Sequence, residues 1–128
     1  MIPRLQPHIR AMSAADQLVH DGERVFSTGD TMLAIRLFMQ ALEAEPNHIQ
    51  AWNDLGVGLF CIGEIEGAEE ALNTAIQNGP DQVNARINLA DMLWRTSRVA
   101  EAQAQARQIL AIVPGQPDAQ RLLVRMAG

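Results

Sequence analysis

The sequence contains no lysine; all ten of its basic residues are arginine. That bias is what a GC-rich coding sequence produces, and it suggests a bacterial source. There is one cysteine, Cys61, so no internal disulfide framework exists. No apolar run approaches the ~20 residues that a helix needs to span a bilayer. The N-terminal stretch MIPRLQPHIRAM has two prolines and charge but no continuous apolar block, which excludes a secretory signal. A cytoplasmic location without membrane insertion is therefore expected, and the start at Met1 argues against a missing N-terminal part. The net charge of −5 excludes a general nucleic-acid binder, which needs a basic face.

Chemistry-bearing constellations are also missing. His8, His20 and His48 are scattered, and none has a histidine or cysteine at metal-ligand spacing. Cys61 reads as a half-buried small residue near a helix end rather than a reactive thiol. The glycines are spread along the chain and form no phosphate-cradling loop. Glu64, Glu66, Glu69 and Glu70 make an acidic run, but they fall at the start of a helix, where the helix dipole favours acids. The methionines, Met32, Met39 and Met92 among them, are scattered filler. No catalytic residue, cofactor or metal site is expected.

What the sequence does contain is a period. At 128 residues it fits one domain of ordinary globular composition. Slid against itself by 34 residues, it places Gly22 on Gly56 and Ala90, and Gly29 on Gly63 and Ser97. The same shift places Phe26 on Phe60 and Trp94, Ala34 on Ala68 and Ala102, Phe38 on Leu72 and Ala106, Ala41 on Ala75 and Ile109, and Pro46 on Pro80 and Pro114.

Each period reads as two helices. Residues 50–61 carry Trp52, Leu55, Leu59 and Ile62 on one face, and residues 65–77 carry Ile65, Ala68, Leu72, Ala75 and Ile76 on another. Gly63 between them can take positive φ in a tight turn. Pro80 stops the second helix, and Asp81 is expected to cap the next. Gly56 and Ala68 fall where two helices would cross, and a larger side chain there would push the axes apart.

The middle period, with Trp52, Leu55-Gly56, Leu59, Ala68, Leu72, Ala75 and Pro80, resembles the tetratricopeptide repeat (TPR) family closely. Residues 15–48 resemble it through Ala34, Phe38, Ala41 and Pro46. Residues 83–116 resemble it through Leu89-Ala90, Leu93, Ala102 and Pro114, with Arg86 in place of the tryptophan. The resemblance implies an all-α, right-handed solenoid of three helix hairpins (15–48, 49–82, 83–116). Residues 117–128 form a final capping helix, opened by Pro117 and covering the stack with Leu122, Leu123 and Met126. Residues 1–14 form an N-terminal extension in which Ile2, Leu5, Ile9 and Met12 would cover the front of the stack or dock on a neighbouring molecule.

The resemblance also implies a concave groove lined by the first helix of each hairpin. The groove residues would be Val19, Glu23, Phe26, Asn53, Asp54, Val57, Phe60, Asn84, Ile87, Asn88, Asp91, Trp94 and Arg95. An exposed amide can hold a peptide backbone whatever its sequence, and Asn88 matches the family asparagine that does so. Phe26, Phe60 and Trp94 either form an apolar strip for a ligand or close each hairpin. One TPR subclass grips chaperone carboxyl tails with a lysine- and arginine-based clamp. Here the corresponding places hold Val19, Glu23, Asp54, Asn84 and Asn88, so that specificity is not expected.

Together these readings predict a non-catalytic protein-binding adaptor. Its partner would be a peptide carrying lysine or arginine, or an amphipathic helix. Two alternatives stay open. One is a self-assembling scaffold, since the middle of the chain is acidic and both ends are mildly basic. The other is a regulatory fragment of a larger enzyme such as a transferase.

Overall fold

A computed structural model of the chain describes residues 11–127. The expected roles of Ile2, Leu5 and Ile9 lie outside that range; Met12 lies inside it and is exposed. Among the described residues there are seven helices: α1 (Ala14–Ser27), α2 (Thr31–Ala44), α3 (Ile49–Cys61), α4 (Ile65–Asn78), α5 (Val83–Arg95), α6 (Val99–Ile112) and α7 (Pro117–Ala127). α1 packs on α2, α3 on α4 and α5 on α6; successive hairpins then meet through α2–α3, α4–α5 and α6–α7. The first helices also touch one another, α1 to α3, α3 to α5 and α5 to α7, so they share one face of a helical solenoid.

The turn inside each hairpin is the same turn three times. Gly29 and Gly63 sit at φ +95° and +84°, and Ser97 takes the same place at φ +66°. The left-handed conformation is free for glycine and costs a residue with a Cβ. Next to each turn, Asp30, Glu64 and Arg98 occupy the N-cap of α2, α4 and α6, but only the Asp30 side chain accepts a capping bond, from the Leu33 N–H.

The helix crossings explain the small residues. A Cβ on Gly22 would stand 2.5 Å from the Phe38 ring, and one on Gly56 would stand 2.6 Å from Leu72 Cγ. Phe38 and Leu72 are fully buried, as are Ala90 and Ala106 at the same register of the third hairpin. Large-on-glycine and alanine-on-alanine are alternative fillings of one crossing.

A second repeated device ties each hairpin to the next. Trp52 Nε1 donates to the Pro46 carbonyl at 2.7 Å, Arg86 Nε to the Pro80 carbonyl at 3.0 Å, and Gln120 Nε2 to the Pro114 carbonyl at 3.4 Å. The proline that ends one hairpin thus has its carbonyl held by the next first helix, by three different side chains. α7 takes this place in the pattern, and Leu122 is buried with Leu123 and Met126 half-buried beside it. Val124, at the register of Gly22, Gly56 and Ala90, is 73% exposed.

Several expectations need correction. Asp81 does not cap α5: Gln82 holds the N-cap, without a side-chain bond. Cys61, the last residue of α3, is exposed rather than half-buried. Ile62 is exposed as well and follows the helix as its C-cap. Trp52 is only half-buried, because its indole reaches out to the Pro46 carbonyl.

Candidate functional site

The shared face of α1, α3, α5 and α7 carries two neighbouring cavities. The first, about 160 Å³, is lined by Glu23, Phe26, Phe38, Asn53, Asp54, Val57 and Asn88. The second, about 300 Å³, is lined by Ile87, Asn88, Asp91, Asp118, Arg121, Leu122 and Arg125. Asn88 borders both. A smaller space of about 60 Å³ between them brings in Phe60 and Val57.

The first cavity is polar at its floor. Asn53 is only 7% exposed, and its Oδ1 accepts from Asn88 Nδ2 at 2.9 Å, joining α3 to α5. Asp54 Oδ1 accepts from Gln50 Nε2 at 2.8 Å and from Asn53 Nδ2 at 3.4 Å. Asp54 Oδ2 is closed off from solvent and meets no donor. Beside it, within hydrogen-bonding reach, is the carboxyl of Glu23 from α1. Burial pushes Asp54 up to about 8, and the neighbouring Glu23 adds to the rise by hydrogen bonding and repulsion. Asp54 therefore holds a proton at neutral pH and can donate it to Glu23. Phe26 and Val57 give the cavity apolar walls.

The second cavity is charged but compensated. Asp91 pairs with Arg95 at 3.0 Å, and Asp118 with Arg121. Arg125 lies 5.7 Å from the centre of the Trp94 ring, within cation–π range. The residues of α7 are an addition to the groove expected from the sequence.

The remaining expected groove residues are placed less uniformly. Asn84 is exposed on the first turn of α5 and lines neither cavity. Arg95 is exposed and paired. Phe26, Phe60 and Trp94 are half-buried against the core, so they close hairpins and show an edge outward. Val19 is 4% exposed, within the core between α1 and its neighbours, and has no groove surface to offer.

One cluster has no signature along the chain. Asp16, Glu45 and His48 place one ligand-capable atom each within 4.8 Å of one another. Histidine and cysteine spacing gives no sign of it, because Asp16 comes from the far end of the first hairpin. His48 Nδ1 accepts from the Ala51 N–H at 3.1 Å, as the N-cap of α3. Its proton is then on Nε2, which donates to Asp16 Oδ1 at 2.7 Å. Asp16 in turn forms a capping box with Ser13. Both ring nitrogens are engaged, and the arrangement braces the start of α3 against the start of α1. Elsewhere Arg98 bridges Glu69 and Glu101, so part of the acidic run is tied across hairpins.

Comparison with known proteins agrees with this geometry. A profile described as "Tetratricopeptide repeat" matches residues 59–117. Human Tetratricopeptide repeat protein 8 is 29% identical over 113 residues, 88% of this chain and 21% of that protein. The chain spans about a fifth of the length of such curated relatives. Among solved structures, the first TPR of Spaghetti (RPAP3), bound to an HSP90 peptide, has a TM-score of 0.83 at 18% identity, covering 88% of this chain and 92% of that one. An O-GlcNAc transferase from Thermobaculum terrenum has a TM-score of 0.80 at 20% identity, covering 88% of this chain and 22% of that one. With its repeated hairpins and shared inner face, the chain has the fold of these tetratricopeptide repeat domains, and residues 59–117 are similar in sequence to that family.

Proposed function

We propose that this chain is a non-catalytic protein-interaction module that holds a peptide segment or a helix across the face of α1, α3, α5 and α7. The observation that carries the reading is the pair of adjoining cavities with Asn88 between them. The crossings within the first two hairpins are filled by Gly, Leu and Phe, so the polar side chains of that face play no part in those contacts, although Asn53 and Asn88 tie α3 to α5. The units would be residues 15–48, 49–82 and 83–116, with 1–14 and 117–128 flanking them, in a cytoplasmic protein. The site residues would be Glu23, Phe26, Asn53, Asp54, Val57, Asn88 and Asp91, joined by Arg121 and Arg125 of α7.

The Spaghetti domain of the same fold carries an HSP90 peptide. This chain would choose differently, because Glu23, Asp54, Asn53 and Asn88 supply no cation to the first cavity. A segment bearing positive charge suits it better. The test is a peptide-array or display selection on the full chain, followed by titration of the selected peptide. Asn88→Ala should weaken binding at least tenfold, since it removes the amide common to both cavities. Unchanged affinity would sink the assignment.

No helix among the described residues is long and apolar enough to cross a membrane. A self-assembly reading rests on Ile112, Val113 and Val124, which are exposed at the α6–α7 end. Sedimentation across concentration and salt decides it: a monomer under all conditions removes it.

A further inference from the structure

We propose that the cavity between α1 and α3 is a subsite for one alkyl-ammonium group, that of a lysine in the bound segment, and that Asp54 gives up a proton when the ammonium enters. The inference rests on the peptide-binding reading and adds what the first cavity recognises.

Two carboxyl groups meet in the cavity, and no basic side chain lines it. Asp54 Oδ2 is buried and without a donor, and Glu23 lies beside it. Two carboxylates cannot both stay charged at that spacing, so the empty cavity keeps one proton between them. A cation of the ligand can replace it. The carboxylic acid of Asp54 loses H⁺ to solvent, and R–NH₃⁺ then bridges two carboxylates. Charge balances, since one proton leaves as one ammonium arrives.

The geometry favours ammonium over guanidinium. Asp54 Oδ1 already accepts from Gln50 and Asn53. Only Oδ2 is left, so the two parallel bonds of an arginine fork cannot form on Asp54. An ammonium has three separate donors. These can serve Glu23, the side-chain carbonyl oxygen of Asn88, whose Nδ2 is spent on Asn53, and Asp54 Oδ2, which is covered in the empty cavity and has to turn toward the ligand as its proton leaves. Phe26 and Val57 line the way in and can cover an aliphatic stem. The charged and titratable groups facing Asp54 are Glu23 from α1 and, on its own helix, the uncharged Gln50 and Asn53; α5 presents the uncharged Asn88.

The test uses the full chain, ¹⁵N-labelled, and n-butylammonium as the probe, at ionic strength held constant with sodium chloride. The side-chain amide signals of Asn53 and Asn88 should shift saturably. The probe stays charged below about pH 10, so affinity should rise several-fold from pH 6 to pH 8.5. Titration in weakly buffered solution near pH 7 should release up to one proton per site. n-Butanol, with the same stem and no charge, should give no saturable shift. Asp54→Asn should weaken the probe at least tenfold, about what loss of a partly buried charge partner produces. Glu23→Gln, on the exposed rim, should weaken it too and provides the test if Asp54→Asn does not fold. Equal response to butanol, or undiminished binding in both variants, overturns the proposal.

The peptide titration separates the two ideas. A peptide that needs Asn88 but binds as well with norleucine for lysine, and ignores Asp54→Asn, keeps the groove and removes the subsite. Saturable butylammonium binding with no Asn88-dependent peptide keeps the subsite and removes the groove.

Discussion

The first two hairpins and the third build one shape from different parts. In α1/α2 and α3/α4 a glycine lets a large side chain reach across: Gly22 under Phe38, Gly56 under Leu72. In α5/α6 the register holds Ala90 and Ala106, both fully buried. The inner-turn residue is glycine in the first two and Ser97 in the third. The cavity charge changes as well, from the Glu23 and Asp54 carboxyls at the α1–α3 end to acid–arginine pairs at the α5–α7 end. The fold thus accepts either a large side chain facing glycine or two alanines at a crossing, and it leaves the charge of the inner face open to vary.

Converting a crossing of the middle hairpin toward that of the third has the largest expected effect. Leu72→Ala alone removes a fully buried side chain and should cost about 2–5 kcal/mol, read by urea or thermal unfolding. Gly56→Ala alone forces a Cβ to within 2.6 Å of Leu72 Cγ and should cost about 1–3 kcal/mol. The double variant has the alanine pair of the third hairpin. It should be clearly more stable than the two single losses added together, because the new methyl occupies space that Leu72 vacated. Strict additivity would mean that the two positions do not share the crossing.

The charge difference is sharpened by pH. Asp54 carries a pKa near 8 when folded and an ordinary one when unfolded. Its contribution to stability is complete below the unfolded pKa of about 4 and is lost as pH rises toward 8, because the unfolded chain ionises first. The slope cannot exceed roughly 1.4 kcal/mol per pH unit for one proton. Asp54→Asn should remove that slope between pH 5 and pH 8. Asp91→Asn, at the compensated end, should leave it in place. Equal slopes in wild type and Asp54→Asn would show that the carboxyl pair is not a proton holder.

The hairpins are legible in the sequence because their signals are local. Gly, Ala and Pro recur at one spacing, and the positive φ of Gly63 follows from a lone glycine between two helical patterns. What joins the hairpins is hidden. Asn53–Asn88, Glu23–Asp54 and Asp16–His48 link residues roughly one period apart, yet none lies at the period itself. A shift of one full period aligns equivalent positions, whereas contact across a stack is offset by the tilt of the helices. Polar pairs a few residues either side of one period are the signal that all three share. Arg86 is the opposite case. It reads as a lost tryptophan, yet it makes the same bond to the preceding proline carbonyl that Trp52 makes. Residue type misleads there because the recurring element is a side-chain N–H at one reach.

The finest of these differences is the turn. Gly29 and Gly63 have open space around the missing Cβ, so their glycine identity answers to φ alone and not to packing. Ser97 holds φ +66° with a Cβ. A non-glycine residue there costs on the order of 1 kcal/mol in backbone strain, partly offset because glycine loses more freedom on folding. Ser97→Gly should therefore stabilise the chain by about 0.5–1 kcal/mol, and Gly63→Ser should destabilise it by a similar amount. Thermal unfolding of both variants measures the pair. Opposite signs of comparable size would show the three turns to be one backbone solution. A loss in Ser97→Gly would instead show that the serine side chain contributes something to the third hairpin that the first two do without.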